Sequence, residues 1–262
     1  MRWGAVKAFG MAIPIAILGG LIGLGGAEFR LPVLVGPLRY SPRRAVPLNM
    51  AVSIITIAAA LVIRARTLSF APVTPYTPAI LALITGTVMA AWVGTTLFSR
   101  LSDTRLERLI LVLLLVVGVA LVVEGFLPGG APALLPGSSI VWIVAGVLFG
   151  LGIGLVSSLL GVAGGEVIIP TLVFAYGADI KTAGTASLLI SLPTVAVGIT
   201  RYARLRAYAS RHLAQTVAPM GLGSVLGAVI GGLLVGSVPA ALLKFGLGII
   251  LILSAWRTFR SR

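Results

Sequence analysis

The chain has 262 residues, 58% of them hydrophobic and only 10% charged, with a formal net charge of +14 and a mean hydropathy of +1.13. Soluble domains carry about 25% charged residues, so the composition excludes an ordinary soluble fold and points to a membrane protein with several spans. Zero cysteines and a single histidine, His212, exclude disulfides, thiolate chemistry, and a Cys- or His-based metal cluster or His-centred triad within one chain.

Apolar runs of the roughly 20 residues that cross a bilayer lie near 5–22, 44–63, 78–98, 109–127, 140–160, 182–200, 213–235 and 239–256. Arg2 and Lys7 flank the first run as in a signal peptide, but no small-residue cleavage pattern leads into a soluble part, so the run is read as integral to the fold. Residues 23–34 read GLGGAEFRLPVL, placing Glu28 and Arg30 among glycines and apolar residues. The next run carries Asn49, Ser53 and Thr56 at spacings of four and three, on one helical face. Pro72, Pro75 and Pro78 mark a loop and a helix entrance, and PGGAPALLPG at 128–137 reads as a connector. GVAGGEVIIPTL at 161–172 then nearly repeats the first glycine stretch, and Ser187, Ser191 and Thr194 repeat the polar face. Gly223, Gly227 and Gly231, spaced by four, read as a helix-packing seam. The basic residues are spread over short loops, where they orient spans and meet anionic headgroups rather than nucleic acid.

A shift of 138 aligns 23–66 with 161–204 without a gap, giving 12 identities in 44 positions. They include Gly23/Gly161, Gly26/Gly164, Glu28/Glu166, Pro32/Pro170, Ser53/Ser191 and Thr56/Thr194. A shift of 137 pairs Gly86 with Gly223 and Gly94 with Gly231. The chain is therefore expected to hold two related halves, 1–127 and 139–262, joined by an external connector at 128–138. If each half crosses four times, the halves are parallel and Lys and Arg divide eleven to nine between the two sides. If each glycine stretch turns the chain back inside the membrane, the halves are inverted and the division is sixteen to four, with Arg30 on the rich side and Arg64 on the poor one. The positive-inside rule selects the second arrangement and puts both termini in the cytoplasm. The expected fold is an all-α polytopic membrane protein of two inverted repeats. Each repeat has a glycine-broken re-entrant hairpin, or two short crossings, and three transmembrane helices.

Broken backbone at membrane depth survives only where it is buried in protein or lines a watery cavity. A helix that begins after such a break points free N–H groups and a positive dipole end at an anion. Gly25, Gly26 and Ala27, with Gly164 and Gly165, are the candidate backbone anion sites. Asn49, Ser53, Thr56, Ser187, Ser191 and Thr194 are candidate uncharged donors to an oxyanion, with hydrogen bonding between helices as the alternative. Intramembrane acids are costly and usually functional. Glu28 and Glu166 are read either as caps or ion-pair partners of their helices or as proton-coupling groups. Arg30 aligns with Ile168 and so breaks the symmetry. It is a candidate anion contact or partner of Glu28, though snorkelling to the interface is the preferred reading.

The motifs G-x-G-G-x-x-x-x-x-P at 23–32 and G-x-x-G-G-x-x-x-x-P at 161–170 resemble the TauE/SafE family, the sulfite exporter or toluene-sulfonate uptake permeases of bacteria. The helix starts Ala45 to Ser53 and Ala183 to Ser191, and the basic ends Arg64–Arg66 and Arg201–Arg206, extend the likeness over essentially the whole chain. This chain departs from the usual pattern in carrying a glutamate after the glycines. The resemblance implies a transporter in the bacterial inner membrane that moves a small sulfur-containing or organic anion, coupled to an ion gradient. The expected partners are that anion and the lipid bilayer, with no cofactor, metal or nucleic acid. A channel or cation carrier using Glu28 and Glu166, and a non-transporting scaffold, stay open as alternatives. No nucleophile–base pair suggests an enzyme.

Overall fold

The protein is described here from a computed structural model covering residues 2–126 and 133–234, together with Pro239, Phe245, Ile249 and Ile252. Apart from those four residues the expected span at 239–256, with connector residues 127–132 and the basic residues Lys244, Arg257, Arg260 and Arg262, lies outside the described residues. The described elements are helical. α1 (Arg2–Ile22) ends at the first glycine turn, and α2 (Ala27–Val35) follows it with only nine residues. α3 (Pro42–Thr67) starts on a proline, whose missing N–H is no loss in a first helical turn. A 3₁₀ turn at Ala71–Tyr76 leads into α4 (Thr77–Arg100) and then α5 (Asp103–Phe126). α6 (Ser139–Leu160) ends at the second glycine turn. α7 (Gly165–Pro170) runs on as a π-turn over Thr171–Ala175. α8 (Ile180–Arg204) is capped by the Asp179 carboxylate, which accepts from the Lys181 and Thr182 amides. α9 (Ser210–His212) and a π-turn at Leu213–Val217 continue into α10 (Ala218–Leu234).

Among the described residues, six stretches are long and apolar enough to cross a membrane: Gly4–Ile22, Pro42–Thr67, Ala71–Arg100, Ser139–Leu160, Ile180–Arg204 and Ser210–Leu234. They coincide with six of the apolar runs read from the sequence. The run at 109–127 falls largely within α5. Large apolar residues such as Leu81, Val93, Leu148, Leu222 and Leu233 face outward, as a lipid-facing surface requires.

Side-chain contacts sort the loops to two ends. At one end the Tyr40 hydroxyl lies 2.6 Å from Thr216 Oγ1, and the Tyr208 hydroxyl donates to the Pro47 carbonyl at 3.2 Å. There too Arg201 donates to Thr96 Oγ1 at 2.8 Å, and Arg43 pairs with Asp103 at 3.0 Å. Residues 36–47, 95–105 and 201–216 therefore share this end. At the other end Tyr76 stacks on Trp142 with ring centres 5.8 Å apart and donates to the Gly177 carbonyl at 3.2 Å. Leu134 and Leu135 donate their amides to Phe174 and Ala175.

Glycines hold the packing. A methyl group on Gly223, Gly227 or Gly231 of α10 would strike the backbone carbonyls of Phe9, Ile13 and Ile17 in α1, so these two helices run parallel with their backbones touching. Gly86 and Gly94 of α4 face the carbonyls of Val147 and Leu155 in α6 in the same way. Val147 is Phe9 shifted by 138, and Leu155 is Ile17 shifted by 138, so exchanging the halves maps one seam onto the other. At the centre, where α3 packs on α8, the exchange holds again: Gly23 abuts Gly184, and Gly161 abuts Val46. α1 and α10 start from the basic end, while α4 and α6 start from the aromatic end.

Candidate functional site

Each glycine break is a left-handed residue that starts a new helix. Gly26, at φ 70°, precedes α2, and Gly164, at φ 82°, precedes α7. An L-residue with a side chain pays a steric penalty there. The ends of the incoming helices close alike. The Leu24 amide bonds the Gly19 carbonyl at 2.9 Å, and its counterpart, the Val162 amide, bonds the Ser157 carbonyl at 3.2 Å. The two breaks touch. A methyl group on Gly165 would lie 3.1 Å from the Leu24 carbonyl and 2.9 Å from Ser187 Oγ, and one on Gly25 would lie 3.7 Å from Ala163 Cβ.

Arg30 lies at this junction and is fully buried. The preferred sequence reading, snorkelling, is thereby overturned. The polar face of α3 offers acceptors at hand within the protein. Nε donates to Asn49 Oδ1 at 3.3 Å, and Nη2 donates to Ser53 Oγ at 2.8 Å. Nη1 donates to the Gly25 carbonyl at 2.9 Å and to Thr56 Oγ1 at 3.0 Å. A guanidinium has five N–H groups, so one on Nη2 is left uncommitted. The cradle is neutral throughout. Asn49 also ties the two breaks together, donating from Nδ2 to the Ala27 carbonyl at 2.8 Å and the Gly161 carbonyl at 2.9 Å. The Ser53 and Thr56 hydroxyls donate one turn back, to the Asn49 and Val52 carbonyls. The polar face read as a set of free donors is thus engaged on Arg30 and on its own backbone.

The second half differs because Ile168 stands where Arg30 would be. Ser187 and Ser191 are buried with hydroxyls that have no partner. Thr194 Oγ1 donates to Thr87 Oγ1 at 2.7 Å. Ser224, which aligns with Thr87 at a shift of 137, is left unpartnered because Arg30 occupies Thr56 instead.

Glu28 and Glu166 are 0% and 3% exposed, and neither carboxylate has a hydrogen-bond partner. Backbone amides lie near both carboxylates, those of Ala27 and Glu28 beside Glu28 and that of Glu166 beside Glu166, without closing a hydrogen bond of normal geometry. Glu28 is within electrostatic reach of both Glu166 and Arg30, yet no ion pair forms. Burying polar groups without partners is costly. Four unpartnered groups, two carboxyls and two hydroxyls, on elements that meet at one junction therefore mark it as more than a packing contact.

Arg64 and Tyr202 were not singled out by the sequence. Arg64 appeared as a loop charge, but it is 1% exposed. Its guanidinium donates to the last carbonyls of α1, Gly20 at 3.2 Å and Leu21 at 3.3 Å, and to Thr185 Oγ1 at 3.0 Å. Tyr202, its counterpart at a shift of 138, donates to the Ser158 carbonyl at 2.5 Å, and Ser158 is the counterpart of Gly20. Each closes the frayed end of the helix that leads into a break. The alignment of Arg64 with Tyr202 was available in the sequence, but the shared task was hidden by their different chemistry.

Residues 146–262 match the family described as Sulfite exporter TauE/SafE. No curated protein and no solved structure matches the chain.

Proposed function

We propose that this integral membrane protein, whose residues 146–262 match the family described as Sulfite exporter TauE/SafE, is a secondary transporter for a small sulfur-containing or organic anion of the sulfite or sulfonate class. One observation carries the reading: Arg30 is a buried guanidinium in a wholly neutral cradle, at the junction of two broken helices, with one N–H still to give. A small oxyanion would supply the charge that none of its hydrogen-bond partners carries, Glu28 being near but not paired with it.

The substrate would sit between the two breaks, on the backbone of Gly25, Gly26, Ala27, Gly164 and Gly165. Arg30 meets its charge, and Ser187 and Ser191 turn their unused hydroxyls to its oxygens. Asn49, Ser53 and Thr56 act first by holding Arg30 and reach the anion when the site opens. Thr194 completes the second wall through Thr87. Glu28 and Glu166 would carry protons. Two carboxylates buried within reach of each other are costly to charge together, so loading and release of a proton would track the opening of the site.

Alternating access is supported by how the helices group. α1 and α3 each pack on α2 and α10, and α4, α6 and α7 each pack on α8, with α4 also against α6. The groups meet at α3 and α8, where Gly23 rests on Gly184 and Gly161 on Val46. Rocking of one group on the other would expose the junction to each side in turn. The exchange of contacts between the halves, and the opposite ends from which α1 and α6 start, support two inverted repeats, 1–127 and 139–262, around the 128–138 connector. Removing the buried Arg30 and Arg64 from the loop charges leaves fifteen against three, which supports both termini in the cytoplasm of a bacterial inner membrane.

A second reading, a cation carrier or channel, is favoured only by the two unpartnered carboxyls. Reversal potentials separate it: cation selectivity that vanishes in Glu28→Gln would establish it. The transporter reading is tested by thermal stabilisation against a panel of small anions including sulfite and sulfoacetate. Stabilisation by some of them, lost in Arg30→Met, is expected; no stabilisation by any anion would overturn it.

A further inference from the structure

A second cluster of cations stands apart from the buried junction, at the basic end. A cleft of about 590 Å³ is lined by Arg39, Arg44, Arg211 and His212, with Ser41 and Gln215 between them, and no carboxylate is among its lining residues. Ser41 is the N-cap of α3 and makes no side-chain cap bond, so the positive end of a 26-residue helix also opens here. The opposite wall is fixed. Tyr40 is held by Thr216 at 2.6 Å and meets the His212 ring edge-on at 5.5 Å, and Gln215 takes the Arg211 Nε–H at 3.2 Å.

Arg39 carries the second, independent signal. Its backbone is left-handed, at φ 55°, where residues with a side chain are strained. Its counterpart at a shift of 138 is Gly177, at φ 73°. One half meets the same turn with the residue that suits it. The other keeps a strained arginine whose side chain lines a cationic cleft. Strain retained at a position where glycine serves equally well is strain kept for the side chain.

We propose that this cleft is a binding site for a phosphate-class dianion, a tetrahedral oxyanion with two negative charges, separate from the junction around Arg30. Three guanidiniums present forked donors to such oxygens. The anion comes either from solution or from a phospholipid headgroup.

The test places the full-length protein in nanodiscs. One arm titrates inorganic phosphate into neutral phosphatidylcholine discs. The other replaces part of the lipid with phosphatidic acid. Saturable binding in the first arm assigns a soluble anion, and enrichment of phosphatidic acid around the protein in the second assigns a headgroup. Either supports the site provided that Arg39→Gly combined with Arg211→Gln weakens it by about tenfold or more. Arg39→Gly alone should leave thermal stability equal or higher, because glycine relieves the turn, while anion affinity falls. Arg30→Met should leave this binding intact. The proposal is overturned if neither arm shows binding, if the double variant binds as the wild type does, or if the binding disappears with Arg30→Met.

Discussion

Arg30 Nη2 donates to Ser53 Oγ across 2.8 Å, and the same hydroxyl donates its own hydrogen bond to the Asn49 carbonyl. The polar face of α3 is therefore organised around one buried cation. The equivalent face of α8 has no such cation and leaves Ser187 and Ser191 unpartnered. The halves are alike in framework and unlike in chemistry at the junction proposed to read the substrate.

Asn49 is the linchpin of that framework. Asn49→Ala removes two buried bonds that bridge the breaks, to Ala27 and Gly161, and strands the Arg30 Nε–H. A loss of about 2–4 kcal/mol of stability is expected, against about 1 kcal/mol for Ser53→Ala. Thermal unfolding in detergent measures both; equal, small effects would show that Arg30 does not depend on Asn49.

Glu28 and Glu166 distinguish coupling from capping. With no hydrogen bond to lose, Glu28→Gln and Glu166→Gln should each change stability by no more than about 0.5 kcal/mol. Flux driven by a proton gradient should lose its dependence on that gradient, most fully in the double variant. Cap-like destabilisation of about 1 kcal/mol with intact coupling would point to a structural role.

The glycine seams carry the fold. Gly227→Leu and Gly154→Leu push a side chain into the Ile13 and Thr87 backbones, at a cost of about 1–3 kcal/mol or more. Both should fail to give monodisperse protein by size-exclusion chromatography. Gly152→Leu is the control, since nothing lies within 4 Å of an added methyl group there.

Ser138 and Ser210 are exposed in a chain that has no cysteine. Single cysteines at the two positions should show Ser138→Cys labelled by an impermeant reagent from outside and Ser210→Cys protected. The reverse pattern would contradict the inverted arrangement with cytoplasmic termini.

Spans were legible in the sequence because bilayer thickness fixes their length, and the shift of 138 pairs residues that make equivalent contacts, as Gly23 on Gly184 and Gly161 on Val46 do. The glycine breaks were legible because few other sequences tolerate that backbone. Side-chain partners were less so. Arg30 was misplaced because a lone arginine near a short helix reads as interfacial, and only the fold shows that Asn49, Ser53 and Thr56 of the next helix surround it. Arg64 was read as a topology charge for the same reason: the carbonyls it satisfies belong to α1, 43 and 44 residues away in sequence.

The most direct test of anion transport through this junction is flux in proteoliposomes loaded with labelled sulfite or sulfoacetate, with and without a proton gradient. Saturable flux is expected from the wild type, with a loss of at least about tenfold in Arg30→Met and a smaller loss in Arg30→Lys, which keeps the charge without the forked geometry. The absence of saturable flux for any small anion, in either direction and at any proton gradient, or full flux in Arg30→Met, would contradict it.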